Sequence, residues 1–186
     1  MPLILRRMKN LWVPMLGLVA LLQSCNLAVP AGIEPVVGFD LRQYLGRWHE
    51  IARLDNRFQR GLEQVTATYS LQGDGSIRVE NVGWNTRKQQ KRTIIGKAKF
   101  VSDREMGHLK VSFWGPFYGS YVIFYLEADY SVAIVCGARR DFCWILAREP
   151  ILPAEDLAKY LRIAQENGFA IENFVCSIQS TQENAY

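Results

Sequence analysis

A chain of 186 residues with a net charge of +4 is long enough for one domain and a short extension. Its apolar share of 49% and charged share of 22% are those of a folded globular protein. The cations are unevenly placed: residues 1–24 hold Arg6, Arg7 and Lys9 and no acid, leaving 19 basic against 18 acidic residues in the remainder. That near-neutral remainder excludes the electrostatic footprint of a nucleic-acid binder.

Behind the basic start, residues 11–22 form an apolar run interrupted by Pro14. It is shorter than the roughly 20 residues of a membrane-spanning helix and has the proportions of a signal-peptide core. It ends in Leu21-Leu22-Gln23-Ser24-Cys25, which resembles a bacterial lipoprotein box, with Gln23 an unusual choice in it. The resemblance implies a signal peptide at residues 1–24 and an acylated, palmitate-bearing Cys25 as membrane anchor. Asn26 in place of aspartate then implies sorting to the outer membrane, with the domain facing the periplasm. A plain secretory signal is the alternative. Residues 25–38 read as the lipidated cysteine and a tether, with Pro30, Gly32 and Pro35 and no period. Extended, this tether reaches at most about 45 Å, so it leaves open which end of the domain faces the membrane.

The domain is expected over residues 39–180, with 181–186 a tail. A short helical turn at 39–45 is followed by β-type runs rich in branched and aromatic residues. They fall at 47–58, 63–71, 76–86, 92–101, 108–114, 120–128, 130–136 and 142–147. Breakers such as Gly73-Asp74-Gly75 and Gly115-Pro116 separate them. Eight strands at even spacing give an all-β, antiparallel up-and-down barrel or a sandwich. A helix follows, with Pro153 in its first turn, Glu155 and Asp156 near its positive end and Gly168 as its stop. Leu157, Tyr160, Leu161 and Ala164 form its apolar stripe, which places it against the outside of the barrel. A last strand is expected at 169–178.

Gly46-Arg47-Trp48-His49-Glu50-Ile51-Ala52-Arg53 opens the first strand, and Trp144-Ile145-Leu146-Ala147-Arg148 ends the eighth. A strand that starts on Trp and one that ends on Arg can meet at one end of a closed barrel, the guanidinium over the indole. With Asp129-Tyr130 and the run Phe113-Trp114-Gly115-Pro116-Phe117-Tyr118-Gly119, these blocks resemble, in order and spacing, the lipocalin family and its bacterial lipoprotein branch. The resemblance covers about residues 38–178. It implies an eight-stranded barrel with a helix packed outside, and a fatty acid or lysophospholipid bound within it for lipid storage or transport in envelope maintenance. Gly46, Trp48 and Arg148 then close the floor as structural residues.

A barrel of eight strands holds side chains or one small ligand. If Trp48 and Arg148 point in, alternation places Glu50, Ala52 and Leu54 inward on the first strand, and Phe142, Trp144 and Leu146 inward on the eighth. Tyr69, Trp84, Phe113, Phe117 and Tyr121 are further candidates for the pocket wall. Alternate connections share one end, so the open mouth carries Arg57 and Arg60; Arg87, Lys88, Lys91 and Arg92; and Arg139 and Arg140. The opposite end carries Asp74, Asp103, Glu105, Glu127 and Asp129. A basic rim suits the anionic head of a lipid, or an anionic membrane surface.

Cys136, Cys143 and Cys176 are an odd set, with no pairing assigned; alternation turns Cys143 outward. Enzymatic readings find little. His49 and His108 fall in no ligand spacing, so no metal and no cofactor are expected, and no nucleophile elbow or phosphate loop is present. Glu50 is a lone buried acid. A planar pigment such as a tetrapyrrole, or a lipid-modifying enzyme on the same fold, are the alternatives to lipid binding. Homodimerisation is left open.

Overall fold

The computed structural model describes residues 27–179. The signal segment, Cys25 and the tail at 181–186 lie outside the described residues. A short helix, α1 (Leu41–Tyr44), leads into eight antiparallel strands: β1 (Gly46–Leu54), β2 (Leu62–Leu71), β3 (Ile77–Asn85), β4 (Gln90–Phe100), β5 (His108–Trp114), β6 (Phe117–Leu126), β7 (Val132–Cys136) and β8 (Cys143–Ala147). Helix α2 (Ala154–Glu166), a 3-10 turn (Ile171–Asn173) and β9 (Phe174–Cys176) complete the fold. Each of β1 to β8 pairs with its chain neighbours, and β1 closes the barrel by pairing with both β8 and β2.

Boundaries differ from the sequence reading where a local contact competes with the strand. The first strand stops at Leu54, short of Phe58, because the Asn56 side chain accepts from the backbone N–H groups of Phe58 and Gln59 and turns the chain. The sixth begins at Phe117, so Gly115 and Pro116 alone connect the β5–β6 hairpin. The expected strand at 169–178 shrinks to three residues, since Phe169 packs into the core beneath α2 and stacks on Phe124. Pro153 is the residue capping α2. Gly168, at φ +81°, ends it with its N–H on the Gln165 carbonyl.

Two apolar layers lie on opposite faces of the barrel wall. Inside are Trp48, Tyr69, Ile77, Val79, Ala98, Leu109, Ile123, Ala133, Val135 and Leu146. Outside, under α2, are Ile51, Ala52, Leu54, Val132, Ile134, Cys136, Cys143, Ile145 and Ala147, covered by Tyr160 and Ala164. The division on β1 turns on a bulge: Glu50 faces Leu146, but Ala52 faces Ile145. The extra residue reverses the alternation beyond it. Ala52 and Leu54, expected in the pocket, therefore pack under the helix, and Arg53 turns inward opposite Trp144.

β9 pairs with the upper half of β1, where β1 and β2 no longer pair with each other. Past it, the N–H of Gln64 donates to the Ile178 carbonyl, so the C-terminal segment fills the gap between the two strands. Residues 27–38 are likewise packed, and the free tether read from the sequence is corrected over this stretch. Val36 takes a backbone bond from Gly107 and gives one to Ile123, and Ala31 accepts from Arg140. A Cβ on Gly107 would come within 2.7 Å of Val36 and 2.9 Å of the Ile123 carbonyl, so only glycine admits the strap.

At the closed end the Arg148 guanidinium lies 4.0 Å from the Trp48 ring centroid. It also donates to the carbonyls of Arg47, Gln43 and Tyr130. The indole N–H of Trp48 donates to Tyr44. Arg148→Ala is expected to destabilise the fold by about 2–4 kcal/mol, the loss of the ring contact and of charge-assisted bonds to three carbonyls. A urea-denaturation midpoint measures it, and Arg148→Lys should recover only part, since an ammonium cannot span those carbonyls.

Candidate functional site

Burial changes with depth inside the barrel. The lower interior is filled: Trp48, Ile77, Val79, Ala98, Ile123 and Val135 are each at most 2% exposed. Above them, inward positions remain partly accessible, among them Ala67, Asn81, Ile94, Val111, Phe113, Tyr121 and Trp144. Gly119 shares the inward face of β6 with Tyr121, and a Cβ placed on it would meet nothing within 4 Å. The upper half of the barrel is thus less closely packed than the floor, with apolar and aromatic groups along its inward face and space beside Gly119.

The boundary between the halves is marked by three phenols. The Tyr121 hydroxyl lies 2.7 Å from that of Tyr44 and 2.8 Å from that of Tyr69. Burial pushes all three phenol pKa values up from the ordinary tyrosine value, that of Tyr69 to about 12. They stay protonated, and two contacts among three O–H groups leave one proton available to another acceptor.

Under the mouth a polar network crosses the interior. Arg53 pairs with Glu50 at 2.5 Å, both at most 4% exposed, and also donates to the Gln59 carbonyl and the Ser177 hydroxyl. Glu50 accepts from Gln59 and Ser177, while Trp144 donates its indole N–H to Gln59. Glu50 is thus a satisfied partner in a buried pair and has the geometry of a structural anion. Of the four buried side-chain polar atoms without a hydrogen-bond partner among the described residues, two belong to inward-facing residues: Arg53 Nε, a donor, and Asn81 Oδ1, an acceptor.

Of the residues expected to line the pocket, Glu50, Tyr69, Phe113, Tyr121 and Trp144 face inward, and Phe142 stacks on Trp144 at the mouth. Trp84 is corrected: β3 pairs with β4 without interruption, and with Ile77 and Val79 inside, position 84 falls on the outer face. Phe117 is corrected as well; at 57% exposed it is part of the lip. Arg53, Gln59 and Asn81 escaped the sequence reading. Arg53 had no signal without the bulge, and Gln59 none without the loop that folds back.

The rim is less basic than its sequence. Arg60 is paired with Asp55, Arg139 with Asp141, and Arg140 is held by the carbonyls of Ala31 and Asn167. Arg87, Lys88, Lys91 and Arg92 form no ion pair among the described residues, and Arg57 lies over Phe58. At the opposite end Arg104 stands among the acids, over Phe100. Cys136 and Cys143 face each other across β7 and β8 beneath α2, and Cys176 is exposed; all three are free. Burial raises the Cys136 thiol to about 12 and pushes Cys143 well above the ordinary thiol value, so neither is a reactive thiolate.

A closed eight-stranded barrel with this floor and helix is matched by a family model. Residues 39–179 fit the one described as a lipocalin-like domain. The chain belongs to the lipocalin family. This lipocalin is 47% identical over 146 residues to the outer membrane lipoprotein Blc of Citrobacter freundii, covering 78% of this chain and 82% of that one. It is 46% identical over 150 residues to the protein of the same name from Vibrio cholerae, covering 80% and 87%. Mouse apolipoprotein D is 33% identical over 150 residues, covering 76% and 78%. Insecticyanin of the tobacco hornworm shares the fold, with a TM-score of 0.67 at 19% identity, covering 83% of this lipocalin and 88% of that chain. The names of the bacterial relatives agree with the lipoprotein signal, and this lipocalin is an outer-membrane lipoprotein.

Arg53→Met should destabilise this lipocalin by about 3–5 kcal/mol by stranding the Glu50 carboxylate, and adding Glu50→Leu should restore much of the loss; chemical denaturation of both variants checks this. Alkaline titration gives a second expectation. Unfolded tyrosine releases its proton near 10 and folded Tyr69 near 12, so the unfolded state binds fewer protons between those values and stability falls as pH rises through them. Tyr69→Phe should flatten that decline in a pH series of melting temperatures.

Proposed function

We propose that the barrel encloses one acyl chain, as a fatty acid or lysophospholipid, for lipid storage or transport at the outer membrane and facing the periplasm. The observation that carries this reading is the contrast in burial along the interior: upper inward groups such as Ala67, Ile94, Val111 and Phe113 stay partly accessible while the floor beneath is filled. Each methylene moved there from water is worth about 0.8 kcal/mol. A chain of ordinary length therefore binds by burial alone, without a cofactor.

Polar contacts then orient the ligand. The unpaired rim cations Arg87, Lys88, Lys91 and Arg92 suit an anionic head at the mouth, and Arg57 and Phe58 stand at the same lip. Inside, Arg53 Nε and Asn81 Oδ1 are a donor and an acceptor that a carbonyl or hydroxyl of the ligand can satisfy. Binding without turnover is the expected activity: the interior acid is neutralised by Arg53, and the two opposed thiols lie on the outer face.

Native mass spectrometry of a chain beginning at Asn26, freed of detergent and offered fatty acids and lysophospholipids, tests the reading. One adduct of acyl-lipid mass is expected. Gly119→Trp, which fills the open space, should abolish it while leaving the unfolding midpoint within about 1 kcal/mol of the parent. Neutralising Arg87 and Lys88 should weaken a fatty acid more than an uncharged monoacylglycerol. A protein that takes up neither, or a Gly119→Trp chain that binds as well as the parent, would overturn the proposal.

A further inference from the structure

The β5–β6 hairpin carries features that a ligand inside the barrel does not use. Its tip exposes two large aromatic rings, Trp114 at 63% and Phe117 at 57%, paired across the turn. Amphipathic rings left in water at a loop tip suit the boundary between lipid head groups and acyl chains. Behind the tip, β4, β5 and β6 contain no aspartate or glutamate along their whole length.

Their outward positions instead carry Lys91, Lys97, Lys99 and Lys110, together with Ile95 at 54% exposed. Lys99 and Lys110 are directly opposite each other on adjacent strands. A like-charge cross-strand pair is unfavourable unless an anion lies against both. Lys97 is paired with Asp74, whereas Lys99 and Lys110 have no carboxylate partner among the described residues, and Lys110 lies 5.4 Å from the Tyr118 ring. The same face is hollowed by a groove of about 430 Å³ lined by Arg78, Ile95, Lys97, Ser112 and Tyr118. In it Ser112 Oγ is buried and has no hydrogen-bond partner among the described residues.

The position of the N-terminal strap selects the occupant. The ring of His108, the first residue of β5, hydrogen-bonds to the backbone of Leu27. Cys25 precedes Leu27 by two residues, about 7 Å of chain at full extension. Leu27, two residues from the anchoring cysteine of this outer-membrane lipoprotein, thus lies at one end of β5, and the exposed aromatic tip stands at the other. We infer that the β5–β6 hairpin, with the outer face of β4, is the surface by which the protein lies on an anionic phospholipid leaflet. The barrel axis then runs along the bilayer, and one edge of the mouth touches lipid. Lys99 and Lys110 bridge phosphates.

The test uses the lipidated protein reconstituted into vesicles of phosphatidylethanolamine and phosphatidylglycerol with brominated acyl chains, which quench tryptophans at the bilayer surface. Quenching is expected, and Trp114→Phe should remove most of it. Lys99→Glu combined with Lys110→Glu should reduce it at low salt and leave little difference at high salt, where surface charges are screened. Quenching that survives Trp114→Phe intact would overturn the inference, and so would its absence from the parent. Loss on Phe58→Ser but not on Trp114→Phe would show that the opposite lip faces the bilayer. Sedimentation that finds Trp114 shielded in a dimer before vesicles are added would assign the surface to a second copy of the chain.

Discussion

One extra residue in β1 decides how this barrel is divided. Up to Glu50, side chains alternate in step with Leu146 on β8; past Ile51 the step is reversed. The reversal lets Ile51, Ala52 and Leu54 all face outward, where they supply one side of the layer beneath α2. It also swings Arg53 into the barrel within 2.5 Å of Glu50. Without the bulge, the helix would lose its seat and Glu50 would be a buried anion with no cation to balance it.

The two ends of the barrel are built on opposite principles. At the floor the inward side chains are buried, and the half-buried charge that closes it, Arg148, is tied down by three carbonyls and an indole face. Such an end is rigid. Towards the mouth, apolar area is left accessible and polar bonds run through long side chains such as Gln59, which joins Glu50, Trp144 and Asn56. Because Gln59 belongs to the β1–β2 connection, that one amide ties this loop to the barrel interior. The arrangement is what a binding protein needs: a floor that holds the shape, and a mouth that can yield.

Charge is distributed about the barrel as well as along it. The rim cations nearest α2 are neutralised or tied to backbone, as with Arg139 and Arg140, whereas those beside β4 are free of ion pairs. The unbalanced positive surface therefore runs from the β3–β4 connection down the outside of β4 and β5. A strap that begins near His108 holds the chain's N-terminal end against that side.

Most of the fold was legible in the residues themselves. Alternating branched and aromatic runs, the Trp48 and Arg148 blocks and the stripe Leu157, Tyr160, Leu161 and Ala164 set the strand count, the closed end and the helix. These are properties of local period and of residue type, and they survive any detail of packing. The pocket was legible only in part. Alternation placed Glu50 and Trp144 inward but failed at Ala52 and Leu54, because a bulge is a defect of pairing between two strands and leaves no mark in either one alone. Trp84 and Phe117 look like wall residues by type, yet one falls on the outer face and the other on the lip, which only register and strand length determine. The docking of residues 27–38 was hidden for the same reason. A stretch without period reads as a tether, and only the tertiary structure supplies the carbonyls, the glycine and the histidine that hold it down.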